Sequence, residues 1–301
     1  MLFRSKIIFY LPGMFRYEGE WGKYPAISIT GKNCELKCAH CNSKILESML
    51  FATSPKELIE KCIELDEDDN IGCLITGGSL KNGSLPWSNF IDAIKEIKAR
   101  TNLHISIHSG IIDIGVALSL KEAGVDQALI DVIGDDETLR NVYHVDFGVS
   151  KIEDSLIALE VAGIPIVPHI VVGIDYGKVK GEYRAIEIIK QHNPQVVVIV
   201  ALMPLLGTPM ADILPPAPQT VAEIMAKVRI SLPKVPICLG CARKRDNSGI
   251  DVLAVDCGVN RIALSSPQAI KRAEEYGLEI EFQKTCCSVS YLGGYDDKRK
   301  S

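Results

Sequence analysis

Short runs of valine, isoleucine and leucine recur along almost the whole chain, separated by amphipathic helical stretches. This alternation limits the fold more than any other feature. The runs fall at 25–30, 72–76, 103–108, 127–132, 164–172, 195–201, 235–239 and 261–264. Most are continuous in apolar character, the pattern of parallel strands buried on both faces. Eight such strands alternating with helices predict an α/β fold built as a parallel (β/α)8 TIM-type barrel. The alternative is a partial (β/α)6 barrel with a C-terminal extension beginning near Pro233. With 301 residues, the chain is near the ~250 typical of the closed barrel. We read 1–301 as one domain, because no low-complexity linker or short repeat divides it. The proline-rich stretch 214–218 reads as a rigid loop ahead of a helix.

Helix starts are well marked. Ser54-Pro55-Lys56-Glu57 supplies an N-cap serine, a proline at the first helical position and a glutamate at the third. Ser150 to Glu153 and Thr220 to Glu223 repeat the capping-box spacing. Ser266-Pro267 opens a further helix, which Gly277 is placed to end.

Charge and hydropathy exclude several classes. The net charge of −5 and pI near 5.8 leave no polyanion-binding surface, so nucleic acid is not an expected partner. No stretch of about 18 apolar residues occurs, so no membrane span is expected. The apolar run 7–11 is too short for a signal peptide and is broken by Pro12 and Gly13. A cytoplasmic protein is expected. Ten cysteines are a heavy load for a reducing compartment unless some of them bind metal.

Three of those cysteines, Cys34, Cys38 and Cys41, stand in a C-x3-C-x2-C run. Three thiolates on one short loop can hold three corners of a cubic iron–sulfur cluster and leave the fourth iron open to a ligand. Zinc is the alternative. Structural zinc asks for four closed ligands, commonly in C-x2-C pairs, and no fourth ligand lies near. A disulfide framework does not suit a chain of 301 residues without a secretory signal.

The C-x3-C-x2-C run resembles that of the radical S-adenosylmethionine (SAM) enzymes. The resemblance implies a [4Fe-4S] cluster on Cys34, Cys38 and Cys41 whose open iron chelates the amino and carboxylate groups of SAM. Reductive cleavage of the sulfonium then releases a 5′-deoxyadenosyl radical, so the hard chemistry belongs to the cofactor. His40 occupies the place next to the last cysteine that lies near the adenine in that superfamily. Thr76-Gly77-Gly78-Ser79 resembles the Gly-Gly turn whose backbone binds the SAM amino group, although Ser79 stands where an acid is common. As a bland alternative it is an ordinary glycine turn. Strand alternation puts Ser106 and His108 on one face. His108 near the rim is positioned for SAM or substrate, or else is a satisfied core histidine. Asp131 ends the fourth strand, where a carboxylate can accept from the SAM ribose, and His169 lies in the fifth. Arg140 and Arg184 are candidates for the SAM carboxylate. The loop Met203 to Met210 resembles the Pro-x-x-Gly-Thr-Pro loop of biotin synthase-like enzymes. No residue is singled out as catalytic in its own right.

A second set of thiols lies in 233–301. Cys238 and Cys241 form a C-x2-C, and Cys286-Cys287 is a vicinal pair. These four are expected to meet at the rim of the barrel or on a strap over it. They suit a second [4Fe-4S] cluster, with three or all four as ligands, and tetrahedral zinc is the alternative. Cys62, Cys73 and Cys257 read as packing residues. The stretches around Cys238, Gly258, Gly277 and Cys286 resemble the biotin synthase-related proteins, a group that includes the two-component lipoyl synthases. That likeness implies a sulfurtransferase: sulfur insertion into an unactivated C–H bond of an octanoyl chain borne on a lysine of a lipoyl carrier protein. It further implies a ferredoxin or flavodoxin as electron donor and a second synthase component. The chain departs from ordinary bacterial lipoyl synthase in two ways. No cysteine precedes Cys34, and the Arg-Ser-Ser-Tyr ending is absent, although Ser288 and Ser290-Tyr291 lie close to the thiols. Two other readings stay open: a radical SAM mutase, lyase or methylase on a small molecule, and a non-catalytic metal-binding partner protein.

Overall fold

A computed structural model describes residues 4–17, 19–245 and 248–289; Ser290 and Tyr291 lie outside them. The strands are β1 (Lys6–Tyr10), β2 (Arg16–Tyr17), β3 (Glu20–Trp21), β4 (Ala26–Ser28), β5 (Leu50–Phe51), β6 (Gly72–Thr76) and β7 (His104–His108). They continue as β8 (Gln127–Asp131), β9 (Ile166–Val172), β10 (Val197–Ala201), β11 (Ile237–Leu239), β12 (Arg261–Ala263) and β13 (Glu279–Gln283). The helices are α1 (Pro55–Glu67), α2 (Ile91–Arg100), α3 (Ile114–Glu122), α4 (Asp136–Thr138) and α5 (Ser150–Val161). After them come α6 (Glu182–Ile189), α7 (Pro218–Ser231), α8 (Gly249–Asp256) and α9 (Pro267–Glu275).

All eight expected strands form, and they lie in one sheet of 11 strands ordered β13-β1-β12-β11-β10-β9-β8-β7-β6-β4-β5. Its ladders are parallel throughout. The sheet is curled, a partial TIM-type barrel. Among the described residues no ladder closes it; Lys23 N–H, just ahead of β4, donates to Lys284 C=O, just past β13, at 2.6 Å. Sequence reading did not assign β1 or β13. β1 is the short apolar run of the N-terminus, and the continuous parallel pairing of β13 along it widens the wall.

Period-two alternation divides each strand between two surroundings. Ile75, Ile105, Ile107, Ile130, Ile166, Ile170, Val197, Ile199 and Ile262 point outward into a continuous apolar layer under the helices. Burying one such side chain contributes about 1.5–3 kcal/mol. The residues between them, among them Leu74, Ser106, His108, Leu129, Asp131, His169, Val198 and Cys238, share the opposite, inner face. Cys62 and Cys73 are buried in the outer layer with their sulfurs 4.0 Å apart, as packing thiols.

The helix signals meet mixed fortunes. Ser54 and Glu57 form the full capping box with Pro55 at the start of α1. Ser266 caps α9, and Gly277 follows its end at φ 65°. Ser150, however, is already inside α5, whose N-cap is Val149; Asp136 takes over by accepting from Val149 N–H at 2.7 Å. α7 begins at Pro218, with Ala217 as N-cap, so Thr220 is not a cap. In both cases a fixed local geometry upstream starts the helix before the serine or threonine is reached.

Arg243 is almost fully buried, and its guanidinium grips Asp251 through two bonds of 2.7 and 2.9 Å. It also donates to the carbonyls of Gly240 and Leu264. Removing one partner of a buried pair strands the other charge. Arg243→Leu is therefore expected to lower unfolding free energy by about 3–5 kcal/mol, read from a denaturant titration, with Asp251→Asn losing a similar amount.

Candidate functional site

The loop that follows β4 carries Cys34, Cys38 and Cys41 at the C-terminal end of the sheet, the end at which barrel enzymes place their sites. Its backbone is tightly bent. Lys37, Asn42 and Ser43 all hold left-handed conformations, at φ 46°, 45° and 65°. Such backbone in residues with a Cβ persists only where the surroundings enforce it. Here the turn after β6 is one enforcing element. Gly78 N–H donates to Thr30 Oγ1 at 2.6 Å, and Ser79 C=O accepts from Glu35 N–H at 2.8 Å. A Cβ on Gly78 would sit 2.0 Å from Asn33 O and 2.5 Å from Cys34 Cβ. Only glycine lets the two loops touch.

A stretch that sequence reading left unassigned braces the loop from the other side. Leu139–Tyr143 is a turn of π-helix ending at His144, which is left-handed at φ 59°. Ala39 N–H donates to Val142 C=O at 2.7 Å, and Cys38 Sγ lies 3.8 Å from Tyr143 C=O. His144 Nδ1 donates to Leu36 C=O at 3.1 Å. The His40 and Tyr143 rings lie 5.2 Å apart.

One cavity of about 240 Å³ gathers the candidates. Cys34, Cys38, Cys41, His40, Thr76, Gly77, Gly78, Ser79, His108 and Asp131 all line it. Its remaining wall is apolar, with Leu36, Leu46, Leu85, Ile111 and Phe147 among the side chains. Arg140 and Arg184 are not there: both are exposed, and Arg184 pairs with Glu153 at 3.1 Å. The Met203 to Met210 loop runs past the cluster loop, where a Cβ on Gly207 would meet Lys44 at 3.1 Å.

The electrostatics of the site have local causes. Cys41 is held well below the usual thiol range, chiefly by the Cys38 thiol donating to it and then by His40, against the opposing effect of burial. Cys38 is correspondingly pushed up. The shift favours the thiolate at Cys41, the form that binds metal. His108 Nε2 lies 3.6 Å from Asp131 Oδ1, and the His108 and His169 rings are 5.8 Å apart. Asp131 and His169 are register partners across β8 and β9. Burial works to raise the Asp131 carboxyl, but His108, His169 and His40 outweigh it and hold it at about 2. Burial lowers His108 too, yet Asp131 overrides it and raises the imidazole. His169 has less help, and burial drives it down from 6.5 to about 4. Its Nδ1 carries the proton, donated to Val167 C=O at 3.0 Å.

The second thiol set is not at the rim. Cys238 and Cys287 are buried on the inner face of the sheet with Tyr10, Leu129, Val167 and Val198, and Cys241 and Cys286 pack against them. The chain turns inward after β13 and threads residues 285–289 into the barrel. Arg261 donates to the carbonyls of Cys287 and Val289 at 3.2 and 3.1 Å. Tyr10 Oη donates to Val289 C=O, and Gln127 Nε2 donates to Ser288 Oγ. Inside, burial pushes Cys241 up. Hydrogen bonding by neighbouring thiols, together with burial, does the same for Cys286 and Cys287. Cys257 lies apart and donates to Ala222 C=O.

All ten cysteines are unpaired. Among the described residues no three His, Cys, Asp or Glu side chains stand in the arrangement that grips a single ion. Three cysteines face a cavity in the first thiol set, donor chemistry that suits an iron–sulfur group. Four converge in the second.

No protein-family model matches the chain, and no curated protein does. Solved structures do match in fold. The crystal structure of methylornithine synthase (PylB) aligns over 92% of this chain and 84% of its own length, with a TM-score of 0.61 and 16% identity. The [FeFe]-hydrogenase maturase HydG from Carboxydothermus hydrogenoformans aligns over 86% of this chain, with a TM-score of 0.61 and 17% identity. This chain spans 59% of that HydG's length. The HMG-CoA lyase of Bacillus subtilis aligns over 95% of this chain and 90% of its own, with a TM-score of 0.53 and 10% identity. At these identities the matches define a class by fold: α/β proteins built on a curled parallel barrel sheet.

The depressed His169 gives a directional test. Below its unfolded value of 6.5 the unfolded chain takes up a proton that the folded chain refuses until about 4. Stability held above 6.5 is therefore lost as pH falls through that window. His169→Gln is expected to flatten the stability–pH curve between about 6.5 and 4, measured by urea unfolding at stepped pH.

Proposed function

We propose that this chain is a radical SAM enzyme that inserts sulfur into an unactivated C–H bond. The observation that carries the first part is convergence. The C-x3-C-x2-C thiols, the Gly-Gly turn, His40, His108 and Asp131 line one cavity at the C-terminal end of a parallel barrel sheet. Cys34, Cys38 and Cys41 would hold a [4Fe-4S] cluster, with SAM on its open iron. When bound, that pair supplies a 5′-deoxyadenosyl radical on one-electron reduction.

The chain's own residues do the rest. The backbone of Thr76 to Ser79 is fixed against the cluster loop and offers polar groups to the methionyl end. Asp131, ionised across the physiological range, accepts from hydroxyl groups of a ligand. The apolar wall excludes water and suits an aliphatic substrate.

Four clustered thiols on the inner side of the sheet support the sulfur-inserting reading, because Cys238, Cys241, Cys286 and Cys287 would hold a second [4Fe-4S] cluster as sulfur source. The substrate we favour is an octanoyl chain on a lysine of a lipoyl carrier protein. A ferredoxin or flavodoxin would supply electrons, a second synthase component would act with this chain, and the setting would be cytoplasmic. No helix among the described residues is long and apolar enough to cross a membrane.

Anaerobic reconstitution is expected to load about eight irons per chain, and reduction with SAM is expected to release 5′-deoxyadenosine. Cys34→Ala should abolish that release. Cys238→Ala with Cys241→Ala should remove about half of the iron while leaving SAM cleavage intact. A double variant that keeps all its iron ends the second-cluster proposal. Absence of 5′-deoxyadenosine from the reduced wild type ends the whole reading. Sulfide lost from the protein during turnover separates sulfur insertion from mutase, lyase or methylase chemistry.

A further inference from the structure

We infer that Gln127 and Ser288 form a hydrogen-bond relay that ends on the Cys286 sulfur and raises the reduction potential of the second cluster. The inference rests on the second-cluster reading and adds two positioning residues to it. One of them, Gln127, belongs to no sequence motif.

The relay has two links. Gln127 Nε2 donates to Ser288 Oγ at 3.2 Å, and Ser288 Oγ donates to Cys286 Sγ at 3.1 Å. Gln127 is 1% exposed and Ser288 is fully buried. They come from distant parts of the chain. Gln127 opens β8, and Ser288 lies on the segment that enters the barrel after β13. The inner face of β8 therefore reaches both thiol sets: Asp131 lines the first cavity, and Leu129 packs with Cys238 and Cys287.

A buried amide on that face calls for a reason. Gln127 Oε1 has no hydrogen-bond partner among the described residues, a costly state that an apolar side chain would avoid. Only the Nε2 end is used, and it is turned toward the thiols. Holding the segment in place does not explain it, because Arg261 and Tyr10 already meet the carbonyls of Cys287 and Val289.

Chemistry fixes the direction of the relay. A metal-bound cysteine has lost its hydrogen and can only accept. Ser288 must then give its single hydrogen to Cys286, and its oxygen accepts from Gln127. A donor that is itself polarised by a second donor binds more strongly. Hydrogen bonds to the sulfurs of an iron–sulfur cluster favour its more negative, reduced state and so raise the potential. Joining a substrate carbon radical to a cluster sulfide forms one C–S bond and leaves one electron over, which the irons take up. A raised potential favours that uptake.

The test is Ser288→Ala and, separately, Gln127→Leu, each in the reconstituted full chain. Potentials are read by EPR in a redox titration, and the first cluster is recognised because SAM alters its spectrum. Ser288→Ala is expected to keep about eight irons. At a fixed potential its second cluster should show a reduced-to-oxidised ratio about tenfold lower, a downward shift of about 59 mV for one electron. Gln127→Leu is expected to shift it in the same direction by less. An unchanged potential in fully loaded Ser288→Ala overturns the inference alone, and a wild-type potential in Gln127→Leu overturns the relay. Loss of about half the iron from Ser288→Ala also overturns it, because Ser288 would then be a ligand or a brace. A wild type that loads only about four irons overturns the second-cluster reading and this inference together.

Discussion

Everything in this molecule depends on the two-residue period of its parallel strands. Each strand gives its outward residues to the apolar layer beneath the helices, where Ile105, Ile107, Ile166, Val197 and Ile199 are fully or almost fully buried. That layer is continuous from strand to strand and supplies the hydrophobic free energy of the fold. The inner face is consequently free to carry residues that stabilise nothing by themselves. His104, His108, Asp131, His169, Cys238 and Arg261 all sit there. A polar residue facing inward must find partners within the lumen, so the inner wall becomes a connected set of polar contacts. The site is a by-product of that division of labour.

Register shows how closely the parts are joined. Asp131 pairs with His169, His169 with Val198, Val198 with Cys238, and Cys238 with Arg261. One row round the inner wall therefore runs from the cavity that holds the first three thiols to the second thiol set. The segment 285–289 completes the arrangement. Its carbonyls, which would be unsatisfied inside a barrel, are met by Arg261 and Tyr10. This explains buried charge at the start of β12 and a tyrosine at the end of β1, neither of which has a reason in local sequence.

The eight central strands were legible because buried parallel strands write themselves as unbroken aliphatic runs, and the cysteine loop because its spacing is specific. What escaped notice depends on long-range pairing. Lys6–Tyr10 is a strand because it lies between β12 and β13, and Glu279–Gln283 because it lies against Lys6–Tyr10; alone, the first resembles a weak leader and the second alternates charge with apolar residues. Cys286 and Cys287 could be grouped with Cys238 and Cys241 by type, but their place inside the barrel follows from a chain reversal after β13 that no local pattern encodes. The π-turn at Leu139–Tyr143 carried no signal at all. It braces a loop about a hundred residues earlier in the chain, a contact that exists only once β4 and β8 lie in the same sheet.

Fold and chemistry separate cleanly in this chain. The same curled sheet aligns with a methylornithine synthase, a hydrogenase maturase and an HMG-CoA lyase, so the scaffold alone cannot choose among reactions. The choice is made by what the loops at the C-terminal end present. Here that is a strained cysteine loop clamped between a Gly-Gly turn and a π-turn, opening on a cavity whose wall carries His108 and Asp131. Four further thiols converge on the inner side of the sheet, where there is room for them because the outward residues of each strand already supply the core.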